Sequence, residues 1–186
     1  IRKCNTFLEN VDKVKFANEA TKKDLIAQVR TIKAYSYFIM NFMYGGVPII
    51  SNYQSAEEAQ VPRNTEAEVK KLVYDELDAL IPDLNATPSA RGRIAKGAAL
   101  AIKMRSALYW GDYQRAKDAA QTIMDLKQYN LAPGVEGYAN LFNVAGQGSD
   151  EIILAVQYIS TTKGLGTIGQ MYNNGDGGWS SIVPTQ

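Results

Sequence analysis

The chain is 186 residues long, 46% hydrophobic and 21% charged, with 20 basic against 19 acidic side chains. This is the balance of a globular protein of one medium domain or a piece of a larger one, and it offers no net field to gather nucleic acid or an anionic membrane. Histidine is absent and Cys4 is the sole cysteine, which excludes Ser-His-Asp and Cys-His nucleophiles, His-based zinc sites and an intrachain disulfide.

No run approaches the ~18 apolar residues of a membrane span. The chain opens on Ile1-Arg2-Lys3 with neither an initiator Met nor a signal peptide, so it is expected to be a fragment or a processed product.

In chain order, residues 1–17 carry Ile1, Cys4, Phe7, Leu8, Val11 and Val14 at helical spacing. Asn18 to Ala20 reads as a short break. Thr21 to Asp24 then reads as a capping-box-like start to a second helix, striped by Leu25, Ile26, Val29 and Ile32. From Tyr35 to Tyr44 the stripe widens into an almost wholly apolar cylinder, which places Tyr35, Tyr37, Phe38, Phe42 and Tyr44 in the core. Gly45-Gly46 stops this helix by supplying a left-handed backbone that side chains with a Cβ resist.

Residues 51–64 are polar and loop-like. Thr65 to Glu68 forms a capping box ahead of a helix striped by Val69, Leu72, Val73, Leu77, Leu80 and Ile81, which stops at Pro82. A loop over 83–93 leads to an alanine-rich helix from about Ile94 to Trp110. Gly111-Asp112 turns the chain, and Asp112 caps a fifth helix whose face is Ala116, Ala119, Ala120, Ile123 and Met124. Tyr129 to Ser149 reads as irregular, Glu151 to Tyr158 as a short buried strand, and Ser160 to Gln186 as a long loop. That loop holds six glycines between Gly164 and Gly178.

The expected fold is therefore mostly α: TPR-like helical hairpins, a short strand and an irregular, loop-rich C-terminal segment. It forms a single incomplete domain over 1–186, with 1–127 as helical scaffold and 128–186 as loops. The small residues of the hairpin, Ala98, Ala99, Ala107, Ala116, Ala119 and Ala120, favour this, although no strict repeat of about 34 residues runs through the chain.

Several segments in order resemble the SusD/RagB family of outer-membrane glycan-binding lipoproteins. The first is Arg30 followed by Ala34-Tyr35, Tyr37-Phe38 and Tyr44-Gly45-Gly46-Val47-Pro48-Ile49-Ile50. Arg63 and the helix Val69–Leu84 follow. Gly92-Arg93 with Lys96-Gly97-Ala98-Ala99 comes next, Ala95 standing where the family has a hydroxyl residue. Then come Leu108 to Ala116, Tyr129 with Leu131, Tyr138 with Leu141-Phe142, Glu151 to Ile153, and Pro184-Thr185-Gln186.

The resemblance implies a TPR-like scaffold anchored by lipid outside a Bacteroidetes-type outer membrane. It implies capture of glycans, or sometimes peptides, for a SusC-like TonB-dependent transporter, without catalysis and without a cofactor. Cys4 does not match a lipobox, since Asn5-Thr6 follows it, so the anchor is expected outside this chain.

Candidate sites are few. Trp179 with Tyr172, Asn173 and Asp176 is the best sugar-binding constellation: an aromatic ring for the apolar C–H face of a pyranose, amide and carboxylate for its hydroxyls. Tyr53 and Tyr158 are weaker candidates of the same kind. Trp110 reads as packing, and Arg30 and Arg93 as loop-fixing donors to carbonyls.

The G-x-G-x-x-G at Gly164, Gly166 and Gly169 lacks the strand and helix of a dinucleotide site. Asn173 to Asp176 offers calcium a single carboxylate. Asp75, Glu76 and Asp78 read as a solvated helix face and Glu57 and Glu58 as loop, so no convergent acid pair marks a glycosidase. The alternative reading is a TPR-like scaffold that binds a peptide or partner protein.

Overall fold

The computed structural model describes residues 1–55, 57–58, 60–90 and 92–156. All the elements below lie in the first of its two units, Ile1–Leu154; the second is Ala155–Gln186. Among the described residues the regular structure is helical: α1 (Arg2–Asn10), α2 (Glu19–Tyr44), α3 (Glu66–Leu80), α4 (Lys96–Tyr109), α5 (Tyr113–Asp125) and α6 (Gly134–Asn140). Short 3₁₀ turns follow α1, α3 and α6.

Helices α2 and α3 pack as one hairpin and α4 and α5 as the next, with α1 resting on α2. The shared core takes Ala27, Ala34, Tyr37 and Phe38 from α2 and Val69, Val73, Leu77 and Leu80 from α3. Leu84, Ile94, Ala98 and Ala99 close it. Trp110 meets Phe38 and Tyr74 edge-on at 5.5 and 5.1 Å between ring centroids, a favoured aromatic geometry. Ala107, Ala116 and Ala119 are buried in the second hairpin, where small side chains let the helices approach closely.

Local signals explain most of the boundaries. Thr65 accepts the Glu68 N–H while Glu68 accepts from the Thr65 N–H, a complete capping box. Asp112 accepts the Arg115 N–H at 3.1 Å, and Gly111 turns the chain at φ +76°. Gly45 ends α2 at φ +68°. Pro82 does not end α3 itself; Leu80 does, and Pro82 sits in the 3₁₀ turn Ile81–Asp83.

Ion pairs join the hairpins. Asp78 of α3 takes Lys103 of α4 at 2.6 Å and Arg115 of α5 at 2.7 Å, and the Arg115 guanidinium lies 4.2 Å from the Tyr74 ring centroid. Burial pushes the Asp78 carboxyl up, but the hydrogen bonds from Lys103 and Arg115 outweigh it and hold the group below the usual range. Glu76 pairs with Arg30 of α2 at 2.8 Å.

The structure departs from the sequence expectations in several places. Helix α2 starts at Glu19, not Thr21, because the Asn18 side chain accepts the Ala20 N–H in an extended N-cap conformation. Tyr35, Phe42 and Tyr44 are exposed, at 38%, 56% and 65%, whereas Tyr37 and Phe38 are buried. Only one face of α2 meets α3 and α4, so half of its aromatic run points outward. Met124, expected on the inner face of α5, is exposed as well.

Asp75, Glu76 and Asp78 are not simply solvated; each holds a cation, Asp75 through Lys71 within its own helix. Arg30 binds a carboxylate, not a carbonyl. The region 129–149 contains α6 and a 3₁₀ turn. Residues 151–156 form turns and coil without a strand, and the rest of the expected strand, including Tyr158, lies outside the described residues.

Candidate functional site

The described part of the molecule carries a cleft between α1 and the segment that leaves α2. Its position is set by the chain reversal after Tyr44. A Cβ on Gly46 would run into the Asn64 carbonyl oxygen, so the two segments approach as closely as glycine permits. Arg63 donates from Nε to the Gly46 carbonyl at 2.7 Å and from Nη2 to the Tyr44 carbonyl at 2.6 Å, satisfying the open end of α2. Asn64 Oδ1 accepts the Ile49 N–H at 2.9 Å, and the Asn64 N–H donates to the Val47 carbonyl at 3.2 Å.

Next along the chain, the buried Tyr37 hydroxyl accepts the Ile50 N–H and donates to the Ile50 carbonyl. Burial pushes the Tyr37 phenol up and the Ile50 backbone contact opposes this.

Helix α1 supplies the other wall. Arg2, Asn5 and Glu9 recur at the three- and four-residue spacing that aligns side chains on one helix face. Asn5 is fully buried and donates from Nδ2 to the carbonyls of Ile50, at 3.2 Å, and Asn52, at 2.7 Å. Glu9 accepts the Tyr53 N–H. Arg2 donates to the Tyr53 hydroxyl and stacks its guanidinium 4.7 Å from the ring centroid. Tyr53 therefore stands at 43% exposure on the rim, held at backbone, hydroxyl and ring face. Below it the cleft has a volume of about 290 Å³, with Ile1 and Ile50 among its lining.

A second hollow of about 270 Å³ lies beside α6, bordered by Leu131, Pro133, Gly137, Asn140, Leu141 and Asp150. Tyr138 on α6 and Phe142 in the turn after it are exposed and meet edge-on at 5.3 Å. Among the described residues no group of three or more Asp, Glu, Cys or His is placed to hold a metal, and no helix is long and apolar enough to cross a membrane.

No family model matches the chain. A SusD-like protein of Formosa agariphila is 24% identical over 98% of the chain. The crystal structure of a SusD-like protein from Bacteroides fragilis superposes with a TM-score of 0.78 at 31% identity, covering 86% of this chain. A second structure from that species, described as a SusD-like carbohydrate binding protein, gives 0.84 at 28% identity over 95% of the chain. Over most of its length the chain is thus similar, in sequence and in fold, to SusD-like proteins. It spans about a third of the relatives it matches: 34%, 32% and 35% of their respective lengths.

The SusD signature acquires a structural meaning here. Gly45, Gly46 and Arg63 form the reversal after α2, Tyr37 fixes Ile50, and Arg30 ties α2 to α3. Of the residues singled out from sequence for ligand binding, Tyr53 lies next to the α1 cleft, packed on Arg2 of its lining, and is not itself among the lining residues. Trp179, Tyr172, Asn173 and Asp176 lie outside the described residues. Sequence reasoning passed over Asn5, Arg2 and Gln54, which share that cleft. One signal was available: Asn5 is an amide beside Cys4 on the apolar stripe of α1.

Proposed function

We propose that this SusD-like chain is part of a surface lipoprotein that captures an oligosaccharide without turning it over and delivers it to a TonB-dependent outer-membrane transporter. The observation that carries the reading is the superposition, over nearly the whole chain, on a SusD-like protein described as carbohydrate binding. In this reading residues 1–127 are the rigid scaffold and 128–186 present loops to the ligand. Trp179 stacks on a sugar ring, Tyr172, Asn173 and Asp176 meet its hydroxyls, and Tyr53 offers a further aromatic contact. The lipid anchor and the transporter-facing surface belong to the longer protein.

Calorimetry or affinity electrophoresis against a panel of malto-, laminari-, cello- and xylo-oligosaccharides tests the reading, with chromatography of the sugars afterwards. Saturable binding with intact sugar supports it. Cleavage of a bound sugar would overturn the non-catalytic part, and absence of binding by the full-length protein would overturn the whole.

A second reading, a TPR-like scaffold for a peptide or partner protein, draws on the exposed apolar side chains of α2 and α4. Phe42 and Tyr109 stack edge-on at 4.8 Å, and Tyr35 and Leu108 are exposed on the same two helices, an apolar surface of the kind that marks protein contacts. Copurification of a defined partner by a protein that ignores every glycan favours it.

A further inference from the structure

The cleft between α1 and Ile50–Ser55 holds polar groups that the scaffold leaves unused. Asn5 and Arg2 converge on it from α1, and Asn52, Gln54 and Ser55 from the facing segment. Two carbonyl oxygens in this lining, Asn5 Oδ1 and Gln54 Oε1, are buried with no hydrogen-bond donor among the described residues. Buried acceptors without donors are unfavourable, and few survive without a purpose. They call for a ligand that brings O–H or N–H groups. An inorganic anion brings only acceptors and does not answer them.

The two amides are held differently. Asn5 Nδ2 is engaged by two backbone carbonyls, so its side chain is fixed. Gln54 is only half-buried, and its carbonyl forfeits no hydrogen bond by turning. With a volume near 290 Å³, the cleft lies at the lower limit of small-molecule sites, which start at about 300 Å³. That space suits one sugar ring and no more. Ile1 and Ile50 give it apolar surface for a C–H face, and the exposed Tyr53 ring packs on Arg2 of its lining.

We propose that this cleft is a subsite for one pyranose unit of the captured glycan. The Gln54 amide turns to accept from its hydroxyls, and Arg2, packed on Tyr53, forms part of its wall. The inference rests on the glycan-capture reading and adds to it a location remote in sequence from Trp179.

The test is a titration of the ¹⁵N-labelled full-length protein that contains this chain with the best-binding oligosaccharide of the panel above and with its monosaccharide, alongside Gln54→Ala and Arg2→Ala. Expected are shifts of the amide signals of Ile50, Asn52, Tyr53 and Ser55, and a loss of affinity of about five- to tenfold in Gln54→Ala, the worth of one neutral hydrogen bond. Circular dichroism checks that both variants keep the fold. Sugar binding that leaves these amides unmoved and is unchanged in Gln54→Ala overturns the subsite while glycan capture stands. No binding of any sugar overturns both.

Discussion

Tyr37 and Ile50 are joined twice: the Ile50 N–H donates to the Tyr37 hydroxyl at 2.7 Å, and that hydroxyl donates back to the Ile50 carbonyl at 3.3 Å. One buried phenol on α2 thus satisfies both backbone groups of a residue outside any helix or strand. Tyr37→Phe leaves the Ile50 N–H unpaired, while the carbonyl keeps its bond from the Asn5 amide, and the expected cost is about 1–3 kcal/mol of stability. A urea titration measures it. Faster hydrogen exchange at Ile50, with α4 and α5 unchanged, separates a local loss from a general one; an unaltered midpoint would show that water replaces the phenol.

Gly46→Ala puts a methyl group against the Asn64 carbonyl, a backbone atom that cannot rotate away. The loop or the start of α3 must shift, and the expected destabilisation is about 1–3 kcal/mol, as for other overpacked sites. Gly111→Ala serves as the control: it carries a positive φ of +76° but has nothing within 4 Å, so its cost is backbone strain alone. The thermal midpoints of the two variants are the readout, with loosening at Asn64 expected only in Gly46→Ala.

Asp78 carries the acid dependence of the hairpin junction. Its folded-state carboxyl is held below its ordinary value, so its contribution is present above the unfolded pKa and fades as pH falls through the folded one. With 42% of the side chain exposed, screening keeps this contribution within about 1 kcal/mol. Unfolding midpoints at pH 7 and pH 3 should therefore differ less in Asp78→Asn than in the parent. Equal differences in the two proteins would assign the acid sensitivity to other carboxylates.

Trp179→Ala should weaken glycan binding by about 1–3 kcal/mol if the indole stacks on a sugar as aromatic rings stack on other planar ligands. Calorimetry with the best ligand of the panel decides it. Unchanged affinity with an intact fold reassigns Trp179 to packing.

What could be read from sequence follows how local each cause is. The Thr65–Glu68 box spans one turn, and its two hydrogen bonds form within it, so two letters three positions apart suffice. The start of α2 is equally local, but two caps compete. The Asn18 amide prevails over the Thr21 hydroxyl, and the helix gains two residues.

The aromatics of α2 were harder, because hydrophobicity along one helix does not say which side has a neighbour. Tyr37 and Phe38 are buried in the core shared with α3 and α4; Tyr35 and Phe42 stay exposed, Phe42 meeting α4 only through the exposed Tyr109. Asn5 was hardest of all. Its partners, Ile50 and Asn52, lie more than forty positions away, and only the reversal at Gly45-Gly46 brings them together. The cleft around Tyr53 is thus a product of tertiary folding, which no periodicity in α1 announces.

The bonds of Arg63 and Asn64 to Tyr44, Gly46, Val47 and Ile49 make the base of this loop a closed ring. Whatever hangs from that ring is mechanically separate from the register of α2 against α3. Since doubling the length of a flexible loop costs only about 0.6 kcal/mol, residues between Ser51 and Pro62 can be lengthened, shortened or exchanged while the hairpin stays as it is. In evolution, and in the laboratory, that makes the segment a cassette: a place where ligand preference can be rewritten without rebuilding the scaffold that holds it.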